Sequence, residues 1–173
     1  MVIHMRRREL VVSLAAAAGL AVAGVARADT KPAEPQGKPI LTVSGKIGAA
    51  EGSAQFDREA LERLGMVSFE TKTPWYDGSM TFEGVPLAKL MAEVGAKGDR
   101  IQAVALNDYS SEIPIEDVAK YNVILALKRN GEYMPVRDKG PLFVVYPYDS
   151  DPELKSQKFY SRSVWQVKAL LVK

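Results

Sequence analysis

Residues 123–136 read VILALKRNGEYMPV, and this stretch is the strongest indication of the fold class. Two runs that suit strands, at 123–127 and 132–136, flank the dipeptide Asn130-Gly131. Asn-Gly favours a type I′ turn, in which both central residues have positive φ and which joins neighbouring antiparallel strands. The stretch therefore predicts a β-hairpin.

Further strand patterns extend in both directions from this hairpin. They lie at 40–47, 67–71, 80–82, 101–106, 142–146 and 164–172. Three short helical patterns separate them: one begins at Asp57 and stops at Gly65, one follows Pro86 and stops at Gly95, and one covers 115–120. About seven strands with about three short helices predict an α+β fold dominated by mixed or antiparallel β-sheet.

The N-terminus has the three parts of a secretory signal peptide. A basic start at 6–8 precedes an apolar run of 16 residues at 10–25, and the small-residue site Ala26-Arg27-Ala28 follows. The run is shorter than the roughly 20 residues of a membrane-spanning helix, so we expect cleavage after Ala28 rather than a membrane anchor. The doublet within 6–8 also resembles the twin-arginine export signal, which leaves the export route open.

These features predict three segments and a periplasmic location. Residues 1–28 are the signal peptide, 29–39 a flexible tether rich in proline and polar residues, and 40–173 one domain. Cleavage removes four arginines and one glutamate, so 23 basic and 21 acidic residues become 19 and 20, a net charge of −1. This balance argues against nucleic acid or an anionic membrane as the partner.

The residue types that are missing restrict the chemistry further. The chain has no cysteine, and its single histidine, His4, lies in the predicted signal peptide. The domain therefore has no thiolate nucleophile, no Ser-His-Asp triad and no soft-metal site. Any catalysis would have to use carboxylate, lysine, tyrosine or serine side chains. We therefore favour a protein that is not an enzyme.

Four segments follow one another in an informative order: 82–90 (FEGVPLAKL), 105–110 (ALNDYS), 139–147 (KGPLFVVYP) and 163–168 (SVWQVK). Together they resemble the molybdopterin-binding domain of the sulfite oxidase fold. Within that superfamily the chain is most similar to small stand-alone periplasmic members, including the pterin-response proteins of the PruR type. The resemblance implies a reduced pterin or molybdopterin-like ligand, and a membrane-bound cyclic-dinucleotide enzyme or sensor kinase as partner.

One stretch departs from the catalytic members of that superfamily, in which a cysteine near the end of the second strand binds molybdenum. Here residues 69–75 read FETKTPW. A threonine hydroxyl does not replace a thiolate as a soft, anionic metal ligand. We therefore expect a pterin pocket without molybdenum.

Two tryptophans are candidates for contact with such a ligand. Trp75 follows Pro74 in a predicted loop, where an indole either stacks on a flat heteroaromatic ring or covers its own core. Ser163 and Trp165 belong to a segment that resembles the one whose backbone lies beside the pterin in members of the superfamily. Trp165 also begins an alternating series with Val167, which favours packing in the core.

Polar candidates lie in three loops. Asp77 lies near Trp75, and Asp108 lies between Asn107 and Tyr109, which are ligand-binding candidates with it. The carboxylates of Asp77 and Asp108, like that of Glu70, can each accept a pair of N–H bonds from the amino-pyrimidinone edge of a pterin. The alternative is that these acids are solvated residues of loops or turns. Arg137 and Lys139, on either side of Asp138, suit a phosphate or polar pterin tail, and a charge cluster in water is the alternative. Residues 150–158 are polar and show no hydrophobic periodicity. They suit a lid over the site, a surface for a partner or a flexible loop.

Three hypotheses for the function follow. The first is a periplasmic, non-catalytic protein that senses or carries a pterin and signals to a membrane partner. The second is an oxidoreductase that binds the molybdenum cofactor without a cysteine ligand. The third is an interaction scaffold with no ligand.

Overall fold

The structure is a computed structural model that describes residues 36–173. The predicted signal peptide at 1–28 lies outside the described residues, as does most of the predicted tether. No helix within 36–173 has both the length and the apolar character needed to cross a membrane.

Two sheets form the framework of the described chain. The first has the strand order β2-β1-β10-β5-β6, and only its β1–β10 pair is parallel. Its strands are β1 (Leu41–Gly45), β2 (Ser53–Phe56), β5 (Arg100–Ala105), β6 (Ser110–Pro114) and β10 (Val167–Val172). The second is antiparallel in the order β3-β4-β7-β8, with β9 also beside β7. Its strands are β3 (Val67–Lys72), β4 (Ser79–Pro86), β7 (Ile124–Arg129), β8 (Glu132–Tyr133) and β9 (Phe143–Val145).

Short helices connect these strands. They are α1 (Arg58–Arg63), α2 (Leu87–Glu93), α3 (Ile115–Tyr121) and α4 (Gln157–Arg162), with 3₁₀ turns at Val136–Asp138 and Pro152–Leu154. The predicted α+β fold with mostly mixed and antiparallel sheet is confirmed. The described part of the chain has more elements than predicted, because β2, β6 and α4 were not anticipated.

The hairpin that indicated the fold forms as predicted between β7 and β8. Asn130 and Gly131 have φ of 50° and 82°, the positive values that a type I′ turn requires. The second strand is shorter than the predicted run at 132–136. Pro135 has no N–H to donate to a ladder, and the chain turns into a 3₁₀ helix directly after it.

The helix ends also follow local sequence rules. The carboxylate of Asp57 accepts a hydrogen bond of 2.7 Å from the backbone N–H of Ala60 and so caps α1, as predicted. Gly65, with φ of 92°, ends that segment. By contrast, α4 has a single buried side chain, Phe159, so its sequence carries no apolar period, and contacts with the rest of the fold hold it in place.

The predicted alternation at the start of β10 is wrong, and Trp165 does not pack in the core. The strand begins only at Val167, because Gln166 has a left-handed backbone with φ of 53°. Lys168 is then an extra residue relative to β5 and forms a β-bulge. Because of the bulge, the buried residues after Val167 are Leu170 and Val172, and not Ala169 and Leu171. Trp165 therefore lies outside the sheet and is 37% exposed.

Candidate functional site

A cavity of about 440 Å³ opens where four connecting segments meet. The loop after β3, the turn between β5 and β6, helix α4 and the segment from α4 to β10 each contribute to its wall. Its lining residues are Pro74, Trp75, Asn107, Tyr109, Gln157, Tyr160, Ser161, Ser163, Val164 and Trp165. The size is within the usual range of roughly 300–1,000 Å³ for small-molecule sites.

Trp75 is the centre of the aromatic wall. Its ring meets those of Phe143, Tyr148, Tyr160 and Trp165 edge to face, with centroid distances of 5.4, 6.2, 5.9 and 5.6 Å. Aromatic pairs prefer this arrangement because the positive edge of one ring meets the negative face of the other. The contacts hold Trp75 in a fixed orientation, so the wall is formed before any ligand arrives.

The turn between β5 and β6 supplies polar groups to the wall of the cavity. The side-chain oxygen of Asn107 accepts a bond of 3.2 Å from the N–H of Tyr109, and the hydroxyl of Tyr109 donates one of 3.1 Å to the carbonyl of Ser161. This second bond joins the turn to α4. The amide N–H groups of Asn107 make no hydrogen bond to a described residue.

Helix α4 presents different residues on its two sides. Gln157, Tyr160 and Ser161, spaced i, i+3 and i+4, lie on the cavity side. Phe159 points the other way, where its ring packs against Tyr146 with centroids 5.3 Å apart. The helix is thus both a wall of the cavity and a cover of the core.

The hydroxyl of Ser163 is committed to the protein interior. It donates to the carbonyl of Phe159 at 2.9 Å, so in its contact with Tyr148 it accepts the phenolic proton. Burial, the main cause, raises the pKa of Tyr148 well above its usual value and keeps that proton in place. Ser163 therefore supports the cavity wall and is not an available nucleophile.

Gln166 joins three loops beside the cavity. Its backbone N–H donates to the carbonyl of Lys139 at 2.9 Å, its carbonyl accepts from Leu106 at 2.9 Å, and its side-chain amide donates to the carbonyl of Val136 at 2.6 Å. These bonds compensate for the left-handed backbone, which an L residue adopts only at some cost. They also hold Trp165 at the surface.

A charged cluster lies behind Trp165. The ammonium of Lys139 is 5.1 Å from the ring centroid of Trp165 and 4.6 Å from that of Tyr76. Tyr76 donates a 2.8 Å hydrogen bond to Asp138, whose other oxygen is 2.8 Å from the guanidinium of Arg129. Burial, together with the bond to Asp138, raises the pKa of Tyr76 to about 12. Lys139 is thus beside the cavity but does not line it.

The structure places the predicted site residues in two groups. Five line the cavity: Trp75, Asn107, Tyr109, Ser163 and Trp165. Asp77, Asp108 and Arg137 are exposed and do not line it, and neither does Glu70. Asp108 is in a turn with φ of 64° and forms an ion pair with Lys168 at 2.6 Å, which lowers the pKa of its carboxyl. These acids fit the alternative of solvated loop carboxylates.

Half of the cavity lining was not predicted: Pro74, Gln157, Tyr160, Ser161 and Val164. Three of these lie on α4, in or next to the polar stretch at 150–158. Helix α4 has no apolar period, so the sequence offered no signal from which Gln157, Tyr160 and Ser161 could have been predicted.

Within the stretch at 69–75, only Pro74 and Trp75 line the cavity, and residues 69–73 do not. The hydroxyl of Thr71 is buried and accepts a bond of 3.1 Å from the N–H of Asp149, whose carboxylate accepts one of 2.7 Å from the N–H of Lys72. Thr71 therefore joins this stretch to the loop around Asp149, whereas the hydroxyl of Thr73, also buried, accepts a bond of 3.4 Å from the N–H of Trp75.

Comparison with protein families gives this geometry a context. Residues 55–149, more than half of the 173 in the chain, match the family described as the oxidoreductase molybdopterin binding domain. The chain belongs to this family. Molybdopterin-binding domains of this kind bind the molybdopterin cofactor, and the match agrees with the predicted sulfite oxidase-like fold. No curated protein matches the chain.

The residues of this molybdopterin-binding domain can be compared with the two parts of the cofactor, the pterin and the metal. Aromatic rings and free amide groups, as on Trp75, Tyr160 and Asn107, suit a flat pterin with hydrogen-bonding edges. The chain offers a metal no thiolate ligand of its own, because it contains no cysteine. Within 36–173 there is also no group of three His, Cys, Asp or Glu side chains placed to hold a metal ion.

Proposed function

We propose that this molybdopterin-binding domain is a non-catalytic protein that holds a pterin or molybdopterin-like ligand. The single observation that carries the proposal is the composition of the cavity wall. Its rings include Trp75, Tyr160 and Trp165, its amides include Asn107, and none of the lining residues is Asp, Glu, Lys, Arg, His or Cys. Such a wall can stack on and hydrogen-bond a heterocycle, but it has no strong acid, base or nucleophile to transform it.

Two parts of the wall have complementary tasks in this proposal. The pterin ring stacks among the aromatic side chains, and the polar edge of the ring meets the amides of Asn107 and Gln157. An amide carries both donors and an acceptor, which matches the alternating groups of an amino-pyrimidinone. Lys139, outside the lining, is placed to attract an anionic tail on the ligand.

The location and the signalling role are further parts of the same proposal. The signal-like N-terminus supports export to the periplasm, with Asp29 as the first residue of the mature protein. We place the protein there as a sensor or carrier that reports to a membrane-bound cyclic-dinucleotide enzyme or sensor kinase. Intact-mass measurement of protein from a periplasmic fraction tests the first part, and a mass that still includes residues 1–28 contradicts it.

Thermal and chemical unfolding with pterin and tetrahydropterin test ligand binding. A ligand present at 100 times its Kd adds about 2.7 kcal/mol to the free energy of unfolding. The stabilisation should disappear in Trp165→Ala, which removes a wall of the cavity. Tyr133→Ala is the matched control, since Tyr133 is 42% exposed and does not line the cavity. Absence of any shift with either ligand overturns the proposal.

The family match favours a second function, an oxidoreductase that binds the intact molybdenum cofactor through the dithiolene of the molybdopterin. When bound, that cofactor supplies the redox chemistry, and the aromatic wall with Asn107 and Gln157 would hold its pterin part. Metal analysis of protein purified from its native compartment separates the two functions. One molybdenum per chain supports the oxidoreductase, and pterin without molybdenum supports the binding protein.

A further inference from the structure

We infer that Arg162 is a positioning residue: its ion pair with Asp117 fixes the rotation of α4, and thereby the orientation of the cavity wall that carries Tyr160. The inference rests on the proposed function only where pterin binding is the readout. A second readout, from the protein alone, makes it testable if no pterin binds.

Helix α4 needs an external constraint because it is short. Its six residues, Gln157–Arg162, are far fewer than the roughly 12–15 that make an isolated helix even marginally stable. Its one buried side chain, Phe159, packs on the rings of Tyr121 and Tyr146, both at 5.3 Å. These edge-to-face contacts anchor the helix at one side chain only, so its rotation also depends on a second contact with a definite direction.

The ion pair supplies that direction. The guanidinium of Arg162 is 2.6 Å from Oδ2 of Asp117 on α3, and the hydroxyl of Tyr146 donates to the same oxygen at 2.8 Å. The side chains of Arg162 and Asp117 are only 18% and 10% exposed. A buried charge has few alternative partners, so rotating α4 would leave the guanidinium unpaired and would leave the Asp117 carboxylate with the hydroxyl of Tyr146 alone, at a high cost. Asp117 and Ser163 are also among the few buried polar side chains of the described residues.

Helical geometry passes this constraint to the cavity. Arg162 follows Tyr160 and Ser161 directly, so the rotation that points Arg162 at α3 also points these two residues at the cavity. Tyr160 then meets Trp75 edge to face at 5.9 Å, and the carbonyl of Ser161 accepts from Tyr109. Arg162 itself does not line the cavity. It therefore acts on a ligand only through α4.

The ligand-free readout uses the two tryptophans of the chain, Trp75 and Trp165, which both line the cavity. Acrylamide quenching of their fluorescence reports on the wall without any ligand. Four variants are compared with the unmodified protein: Arg162→Lys, Arg162→Met, the double variant Asp117→Asn with Arg162→Met, and Asp57→Ala. The double variant removes both charges, so it folds without an unpaired buried carboxylate even where Arg162→Met alone does not.

Asp57→Ala is the matched control for stability. Like Asp117, Asp57 is a buried carboxylate that holds a helix, but it caps α1, which does not line the cavity. Its loss lowers Tm by roughly 3–5 °C. Quenching and pterin affinity should nevertheless stay at the values of the unmodified protein.

We expect the variants at Arg162 to change the cavity wall, and the control Asp57→Ala to change stability alone. In the double variant, quenching of the tryptophans should increase and the Kd for tetrahydropterin should rise about tenfold, while the protein remains folded. Arg162→Lys, which keeps the charge but not the planar fork, should be intermediate. Quenching unchanged in the double variant overturns the inference, and so does an equal increase in Asp57→Ala. If quenching changes as expected but no variant binds pterin, the inference stands and the proposed ligand fails.

Discussion

Trp75 and Trp165 meet edge to face with ring centroids 5.6 Å apart and planes at 86°. One belongs to the loop between β3 and β4, and the other to the segment that leads into β10. Their contact joins a loop of the second sheet to the segment that enters the first sheet, at the wall of the cavity. It also gives the two indoles different tasks, since Trp75 contacts four other rings and Trp165 is partly open to solvent.

Alanine substitutions should separate these tasks. Trp75→Ala removes four ring contacts and should lower the free energy of unfolding by about 2–3 kcal/mol, less than for a fully buried tryptophan. Trp165→Ala should cost under about 1 kcal/mol, because much of its ring is exposed. Urea unfolding followed by circular dichroism measures both. Equal losses of stability would show that Trp165 is as deeply packed as Trp75.

Alkaline titration should reveal the environment of Tyr76. Its pKa is about 12 in the folded protein against 10.0 in the unfolded chain. The folded state thus holds the phenolic proton more tightly, so this contribution to stability is complete below pH 10 and is lost as the pH rises through 12. Tyrosinate absorbance of the native protein should lag behind that of the protein in denaturant.

Tyr146 and Tyr148 have raised pKa values too, so the contribution of Tyr76 must be isolated by Tyr76→Phe. The variant should lose one late-titrating phenol and keep the others. A difference spectrum that shows the lost phenol titrating near pH 10 would mean that Tyr76 is not buried against Asp138.

Gly84 should not tolerate a side chain, because β4 and β7 approach too closely there. A Cβ at this position would lie 2.2 Å from the carbonyl oxygen of Leu125 and 2.5 Å from the Cα of Ala126. Gly84→Ala should lower stability by about 3 kcal/mol, since the obstacle is backbone that cannot turn aside. Gly48→Ala is the control, as its Cβ would meet its nearest neighbour at 3.5 Å. Thermal unfolding gives the Tm of both variants. Similar Tm values would contradict the prediction that Gly84, and not Gly48, lies too close to neighbouring backbone for a side chain.

A cysteine at Thr71 should be protected from solvent. The chain has no other cysteine, so labelling with Ellman's reagent reports on this thiol alone. Thr71 is fully buried beside Asp149 and does not line the cavity, so Thr71→Cys should react only on unfolding. Ser161→Cys, on the cavity wall, is the comparison and should react in the folded protein. Rapid labelling of the folded Thr71→Cys protein would mean that this position opens to the solvent.

The elements that the sequence predicted well are those whose cause is local. The turn at Asn130-Gly131 needs positive φ, and the cap at Asp57 needs a side-chain acceptor three residues before Ala60. Both requirements can be read from neighbouring residues. The same is true of Trp75, whose place after Pro74 in a loop made it a candidate for the site.

The rest depends on contacts between distant residues. Helix α4 has no apolar period, and its position comes from Phe159 and from the pairing of Arg162 with Asp117 on α3. The exposure of Trp165 depends on the left-handed backbone of Gln166 and on bonds from loops far away in sequence. Propensity and periodicity describe neither a bulge nor a partner across the fold, so half of the cavity lining remained unpredicted.

The three hydrogen bonds of Gln166 have a mechanical consequence. They tie Lys139 and Val136, which belong to one loop, and Leu106 before the β5–β6 turn to the residue that directly follows Trp165. A movement of the backbone at Trp165 and Gln166 would therefore act on both of these loops. Val136 is 51% exposed, so this set of bonds extends from the wall of the cavity to the surface of the protein.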